Sequence, residues 1–281
     1  MLDNISFGQF YPARSFIHSM DGRMKILLTI AFIVFIFVSK SGAAVFAVAL
    51  ALIFMMALSR VPIKTYLRNI KAILPIIILT AVLNLLYAGG GRVLFSFWVF
   101  NVSTGGIRTS VYMALRIVML IMSSSIMTNT TSPTELTDSI ESLLSPLKLL
   151  RLDIHSLAMM MSIALRFVPT LMEETDKIMS SQKARGADME SGGVLRRVKA
   201  LVPVLIPLLI SSFRRAAELA DAMECRCYHG GDGRTRLKKM TMGRRDLIAA
   251  LGFAVLLAVI ILCNVFLSDS FVYSFFYRLV M

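Results

Sequence analysis

The sequence has few charged residues, and acidic residues are the scarcer kind. Only 17% of its 281 residues are charged, with 17 Asp and Glu against 30 Lys and Arg. Soluble globular chains carry about 25% charged residues and about 45–50% apolar ones. This chain is 57% apolar, and its mean hydropathy is +0.73. The composition therefore excludes a soluble enzyme and a disordered protein.

Residue types that carry catalytic and metal chemistry are also rare. The chain has three cysteines and three histidines, and the cysteines are too few and too unevenly placed for a disulfide framework. Cys225, Cys227 and His229 lie close together in the sequence, but their spacing is not that of a common zinc site and a fourth ligand is missing. The sequence contains no Gly-x-x-x-x-Gly-Lys-Ser/Thr phosphate loop. We therefore expect no catalytic residue, no bound cofactor and no metal site.

Long apolar runs predict a helical membrane protein. A span needs about 20 mostly apolar residues, and lipid offers no partner to an unpaired backbone group. Five windows are read as spans, although the first two are short: Lys25–Ser39, Ala43–Leu58, Ala72–Ala88, Val111–Thr128 and Leu247–Leu267. The first two are close enough to form a tight helical hairpin. We expect an all-α fold with about five transmembrane helices plus long cytoplasmic or interfacial helices.

The predicted spans divide the chain into three parts. Residues 1–128 form an N-terminal membrane region with four spans, residues 129–245 a cytoplasmic region, and residues 246–281 a C-terminal span with a tail. If the N-terminus is cytoplasmic, 25 Lys and Arg fall inside and four outside, while Arg116 lies within a span. Because Lys and Arg accumulate on the cytoplasmic side, these counts favour a cell-membrane protein with an extracellular C-terminus. The net charge of +13 then reflects topology rather than nucleic-acid binding.

The cytoplasmic region is predicted to contain one short and two long helices. Ser132–Glu135 has the N-cap, proline and acid of a helix start. The long patterns cover roughly His155–Lys183 and Val194–Arg226, and their prolines should kink rather than end them. Their apolar stretches are shorter than 18 residues, so we expect buried or interfacial helices rather than spans.

Both long helices end in an arginine between small residues, as Ala184-Arg185-Gly186 and Cys225-Arg226-Cys227. One interpretation is ordinary capping, in which arginine complements the helix dipole and glycine closes the helix. In the other, each tip enters a groove of a partner, and the arginine binds carboxylates or carbonyls bidentately. Cysteine disfavours the left-handed cap conformation, so we expect the second helix to run on to His229 and end at Gly230-Gly231.

In their order and spacing these motifs resemble the transmembrane T component of energy-coupling factor transporters, the family that includes the cobalt-transport CbiQ proteins. The resemblance covers nearly the whole chain. His18–Lys25 is similar to the family's N-terminal signature, and Leu165–Leu171 and Arg215–Glu224 are similar to the segments before its two arginine motifs. The residues that match family motifs are His18, Asp21, Arg23, Lys25, Arg166, Pro169 and Glu224. The chain departs from the pattern at Gly22, where proline is common, and at Cys227.

The resemblance implies a noncatalytic coupling subunit of an ABC-type importer for a vitamin or a transition metal. Two ATPase subunits, which bind ATP and Mg²⁺, would each receive one arginine-tipped helix. A substrate-binding S component would lie beside the chain in the lipid bilayer. The ATPase-coupling residues would then be Ala184, Arg185, Gly186, Cys225, Arg226 and Cys227.

An alternative is a membrane-embedded lipid-modifying enzyme whose cytoplasmic arginines bind phosphate groups. It would need an acid-base or metal constellation, and the sequence has none that we recognise. A standalone channel or transporter would favour broken spans or charges near the midplane, and Arg116 alone is weak support for one. An ABC permease with one short coupling loop fits poorly, because this chain has two arginine-ended long helices.

Overall fold

The computed structural model describes residues 10–39, 41–87, 93–97, 100–146, 153–187, 193–230 and 242–266. Its elements, in chain order, are α1 (Gly22–Val38), α2 (Gly42–Ser59), α3 (Ile63–Tyr87), β1 (Val93–Phe97), β2 (Phe100–Ser103), α4 (Thr104–Thr130), α5 (Pro133–Leu144), α6 (Ile154–Ala184), α7 (Val194–Glu224) and α8 (Arg244–Phe266). The two short strands pair antiparallel. Apart from this hairpin the described elements are helices, so the prediction of an all-α fold is confirmed. The C-terminal tail lies outside the described residues.

Short polar side chains fix where several helices begin. Asp21 accepts a hydrogen bond from the backbone N–H of Arg23 at 3.0 Å, and Ser41 accepts one from that of Ala44 at 3.2 Å. The first N–H groups of a helix have no partner within it, and such a cap contributes about 1 kcal/mol. The start predicted for the short helix is confirmed, because α5 begins at Pro133.

Six described helices are long and apolar enough to cross a membrane: α2, α3, α4, α6, α7 from Val198, and α8. Four of them coincide with predicted spans, and α1, the remaining predicted span, has 17 residues. The prediction of about five spans agrees with this count to within one helix. The expectation that α6 and α7 are too short for spans is wrong on length. Pro169, Pro203 and Pro207 lie inside continuous helices of 31 residues, so the apolar runs on either side of them join.

The described chain divides into two compact units. The large unit contains α1–α4, the β hairpin and α8, and the small unit contains α5, α6 and α7. Within the large unit α2 packs against α8, and α4 packs against both α1 and α3. Within the small unit α6 packs against both α5 and α7.

The core of the large unit lies between its helices. Phe32 and Ile36 of α1, Val48 of α2, Tyr66 of α3 and Ile260 of α8 are each at most 1% exposed. Large apolar side chains on the other faces of α2, α3 and α8 are widely exposed. An apolar surface of this extent is typical of a protein surrounded by lipid or covered by partners.

Arg116, the charged residue of the predicted fourth span, has partners at the end of α1. Its Nη2 donates to the carbonyl oxygen of Ser39 at 3.3 Å, and its guanidinium lies 5.7 Å from the centre of the Phe37 ring. The C-terminal end of a helix carries partial negative charge, which suits a cation there. Asn264 of α8 accepts a hydrogen bond from the N–H of Ser41 at the same turn. The α1–α2 turn is thus held from both α4 and α8.

Candidate functional site

Helix α6 ends in a turn that presents Arg185 to solvent. Gly186 has φ +85°, and its N–H donates to the carbonyl oxygen of Lys183 at 3.0 Å. The N–H of Ala187 donates to the carbonyl oxygen of Gln182, also at 3.0 Å. These two bonds around a left-handed residue form a Schellman motif. No atom lies within 4 Å of the position that a Cβ on Gly186 would take, so the backbone conformation, not space, favours glycine.

Helix α7 ends in the same motif, although cysteine stands in the place of glycine. Cys227 has φ +54°, and its N–H donates to the carbonyl oxygen of Glu224 at 2.8 Å. The N–H of Tyr228 donates to the carbonyl oxygen of Met223 at 3.1 Å. The bond pattern matches that of α6 position by position. A left-handed residue with a Cβ costs about 1–2 kcal/mol, which the two hydrogen bonds to the last carbonyls offset.

The prediction that α7 runs on to His229 and Gly230 is therefore wrong. The helix ends at Glu224, and Nδ1 of His229 lies 2.9 Å from the carbonyl oxygen of Cys227. The cap bonds stabilise a turn that the conformational preference of cysteine alone disfavours. Gly230 does have a positive φ of +99°, but it follows the cap, and Gly231 lies outside the described residues.

Arg185 and Arg226 occupy equivalent positions in the two turns. Each precedes the left-handed residue and follows a small one, Ala184 or Cys225, and all four of these residues are exposed. A guanidinium with small neighbours can donate paired hydrogen bonds to carboxylates or carbonyls of a partner. The predicted likeness of the two tips thus extends to their backbone geometry. The coupling role of the six tip residues stays a prediction.

A polar contact joins α6 to α7 before the tips. Glu174 of α6 accepts hydrogen bonds from the hydroxyl of Ser211 and from Nη2 of Arg215, the latter at 2.6 Å. Arg185 follows Glu174 by eleven residues, and Arg226 follows Arg215 by eleven. Eleven helical residues span about 16 Å, so each tip lies about three turns beyond this contact.

An apolar groove lies beside the same contact. Arg215 and eight other residues line it, and these are Ile163, Phe167, Leu171, Ser212, Ala216, Leu219, Ala220 and Met223. The groove therefore runs between α6 and α7 within the small unit.

The N-terminal motif residues join the start of α1 to the end of α4. Lys25 is 4% exposed, and its Nζ donates to the carbonyl oxygens of Thr130 at 3.1 Å and His18 at 3.3 Å. Nε2 of His18 lies 2.9 Å from the carbonyl oxygen of Tyr11. The backbone N–H of Tyr11 in turn donates to the carbonyl oxygen of Asn129 at 2.9 Å. A buried ammonium needs such acceptors. These contacts fix the end of α4, from which the chain leads into α5.

Asp246, in the first turn of α8, completes this junction and was not predicted as a site residue. Its carboxylate accepts hydrogen bonds from the N–H of Asp21 at 3.0 Å and from that of Gly243 at 2.8 Å. Asp21 caps α1, and its Oδ1 lies 3.8 Å from Nε of Arg23. One buried carboxylate therefore holds the starts of α1 and α8 together. The signal in the sequence is an acid at the start of an apolar helical run.

The other predicted motif residues lie elsewhere. Arg166 and Pro169 are exposed positions within α6, and Glu224 is the exposed last residue of α7. The carbonyl of Glu224 takes part in the cap of α7. Within the described ranges, no three His, Cys, Asp or Glu side chains come together as a metal ion would require.

The chain matches a known protein family over most of its length. The family model described as cobalt transport protein, CbiQ, matches residues 13–237, a range that includes both tips and the N-terminal motif. A Clostridium kluyveri protein named energy-coupling factor transporter transmembrane protein EcfT is 47% identical over 266 residues, which cover 94% of this chain and 98% of that protein. Proteins of the same name from Thermosediminibacter oceani and Bacillus subtilis are 48% identical over 245 residues and 42% identical over 260. These alignments cover 87% and 92% of this chain, and 92% and 98% of the relatives.

Proposed function

Because this chain belongs to the family of energy-coupling factor transporter transmembrane proteins, we propose that α6 and α7 transmit the movement of two ATPase subunits to a substrate-binding S component. The family resemblance inferred from the sequence is confirmed, and the chain is a multi-pass membrane component of a transporter. In the proposed division of labour this chain catalyses nothing. ATP and Mg²⁺ are bound by the ATPase subunits, which form a homodimer or a heterodimer.

The observation that supports this proposal is the equivalence of the two helix ends. Two ATPase subunits with similar grooves require two similar tips, and α6 and α7 end in the same hydrogen-bonded turn with an exposed arginine at the same position. In the proposed complex Arg185 enters one ATPase subunit and Arg226 the other. Each guanidinium then binds acceptors on its subunit through paired hydrogen bonds.

The contact between α6 and α7 supports a mechanical role. Movement at a tip reaches the rest of the unit only if α6 and α7 move together. The Glu174 carboxylate of α6 links them, because it accepts hydrogen bonds from Ser211 and Arg215 of α7. The exposed apolar side chains of α6 and α7, which include Leu157, Met160, Leu205 and Leu209, provide a surface for an apolar partner. We propose that the S component covers this surface.

The proposed orientation follows the charge distribution. The N-terminus and both tips face the cytoplasm, where the ATPase subunits reside, and the C-terminus is extracellular. This assignment rests on the excess of Lys and Arg in the N-terminal segment and in residues 129–245. The transported solute is proposed to be a vitamin or a transition-metal ion that the S component recognises.

Co-purification with the ATPase and S subunits tests the two-tip proposal. Wild type, Arg185→Ala, Arg226→Ala and the double variant are compared for retained ATPase subunits and for uptake in vesicles. We expect each single variant to weaken assembly or uptake and the double variant to abolish substrate-stimulated coupling. Loss of a buried charged hydrogen bond costs a complex about 2–5 kcal/mol, or about 30-fold or more in affinity.

A matched control separates the tips from the general charge of the helices. The double variant Lys177→Ala and Arg214→Ala also removes one exposed cation from α6 and one from α7. We expect it to retain both ATPase subunits. Unchanged assembly and uptake in the Arg185 and Arg226 double variant would refute the proposal.

A further inference from the structure

We propose that the start of α3 binds the phosphate headgroup of an anionic phospholipid, in the leaflet where α2 and α4 end. Four cations lie within twelve residues here: Arg60, Lys64, Arg68 and Lys71. All four are exposed. Within the part of the chain that the structure describes, none of them forms an ion pair.

The described residues of the large unit offer these cations no free carboxylate. No Asp or Glu occurs between Gly22 and Thr134, a stretch that contains α1 to α4. The two acids among the described residues of the unit are engaged elsewhere, because Asp21 caps α1 and Asp246 accepts two backbone N–H groups. Within the described part of the large unit no carboxylate neutralises this stripe, and an anionic lipid headgroup would supply the missing negative charge.

The three helical cations share one face of α3. Lys64, Arg68 and Lys71 are spaced i, i+4 and i+7, so they form a stripe along the helix. Tyr66, on the opposite face, is fully buried, and its burial directs the stripe outward. Asn69 Nδ2 donates to Ser125 Oγ at 2.8 Å, which sets the stripe beside the last turns of α4. The stripe thus lies at the end of the bundle, where a lipid headgroup layer begins.

The corner that carries the stripe is fixed by buried hydrogen bonds. Ser59 Oγ lies 2.9 Å from the hydroxyl oxygen of Tyr66, donates to the carbonyl oxygen of Met56 at 2.7 Å and accepts from the N–H of Val61 at 3.3 Å. Arg60 closes α2 in the left-handed conformation, with φ 55°. The backbone of the α2–α3 corner is therefore ordered before any ligand binds, which lowers the entropic cost of binding.

Apolar side chains beside the stripe identify the ligand as a lipid. Ile63, Leu67, Leu74 and Ile78 lie next to the cations on the same side of α3 and are 68%, 56%, 44% and 54% exposed. A free phosphate would use the cations and leave this apolar surface bare. A phospholipid engages both, because its phosphate meets the cations while its acyl chains lie against the leucines and isoleucines.

Native mass spectrometry of the full chain tests the proposal. The protein is reconstituted in vesicles of equal parts phosphatidylglycerol and phosphatidylcholine, extracted gently, and analysed for retained lipid. We expect wild type to retain phosphatidylglycerol in preference to phosphatidylcholine. The triple variant Lys64→Gln, Arg68→Gln and Lys71→Gln should lose at least about tenfold in this preference, because each interfacial cation contributes roughly a fivefold factor.

Two comparisons make the result specific. A charge-matched variant, Lys177→Gln, Lys199→Gln and Arg214→Gln, removes three exposed cations of the small unit and should keep the preference. Addition of inorganic phosphate at constant ionic strength should not displace the lipid. Thermal unfolding in detergent checks that both variants are folded. The proposal fails if wild type shows no preference for phosphatidylglycerol or if the α3 triple variant keeps the full preference. It also fails if the two variants lose the preference equally or if inorganic phosphate displaces the lipid.

Discussion

Cys227 at the end of α7 adopts the left-handed conformation that Gly186 adopts at the end of α6, and the two residues donate equivalent hydrogen bonds. Glycine pays no steric cost in this conformation, whereas cysteine does. The two tips are therefore equivalent in geometry and unequal in strain.

We expect Cys227→Gly to stabilise the cap of α7. Glycine relieves the left-handed strain, which is worth about 1–2 kcal/mol. It also raises the conformational entropy of the unfolded chain, which lowers stability by about 0.4–1 kcal/mol, so the net effect is stabilising. Amide hydrogen exchange in a peptide covering residues 221–230 should slow by about two- to fivefold, and transport should be preserved. Gly186→Ala is the reciprocal control and should speed exchange at the α6 cap through backbone strain alone, since the space there is open. A transport requirement for the thiol would instead favour a metal or redox role for Cys227.

The native cysteines report on the proposed docking of α7. Cys225 and Cys227 are exposed beside Arg226, whereas Cys263 of α8 is half-buried. In the isolated chain we expect a maleimide to label the two tip thiols quickly. Bound ATPase subunits should slow this labelling by about tenfold or more, because a tip inside a groove is shielded from solvent. Peptide mass spectrometry measures each site.

Two controls accompany the labelling experiment. Cys263 should be labelled at the same rate with and without the ATPase subunits. Arg226→Ala should restore fast labelling at Cys225 and Cys227 when the subunits are present. Equal labelling of the wild-type tip in the free and assembled states would argue against docking through α7.

Loss of the Glu174–Arg215 pair should weaken the link between α6 and α7 without abolishing assembly. The side chains are 22% and 36% exposed, so solvent screens them, and a double-mutant cycle with Glu174→Ala and Arg215→Ala should give a small coupling energy, as solvent-screened ion pairs do. Uptake should fall up to about fivefold while the ATPase subunits remain bound. Glu173→Ala, at the exposed neighbouring position, should have little effect. Full uptake in the Glu174 variant would show that coupling does not need this contact.

Asp246→Ala should destabilise the large unit. It leaves the part-buried N–H groups of Asp21 and Gly243 without their acceptor, and even one unsatisfied donor of a buried kind costs about 1–3 kcal/mol. The thermal unfolding midpoint in detergent should fall by about 5 °C or more. Asp246→Asn keeps one acceptor oxygen and should lose about half as much. Arg244→Ala, at an exposed site in the same helix, should be neutral, and an equal loss there would contradict the specific role of the carboxylate.

The helices were largely predictable, because their determinants are local. Apolar runs near the length of a membrane span and the Ser132–Glu135 start depend on neighbouring residues, and helices occur where they predict them. The arginine motifs and the family resemblance are also properties of the sequence alone. The spacing of Arg185 and Arg226 after two long periodic patterns predicted two similar tips.

Contacts between distant residues required the tertiary structure. Arg116 meets the carbonyl of Ser39, and the Asp246 carboxylate meets the N–H of Asp21, across 77 and 225 positions of sequence. No local pattern encodes such pairs, since they depend on which helices pack together. The end of α7 was mispredicted because the steric cost of a left-handed cysteine is small. The two hydrogen bonds of the cap outweigh it. The sequence thus determined which segments are helical and which residues stand at their ends, and the packing decided which polar groups satisfy one another.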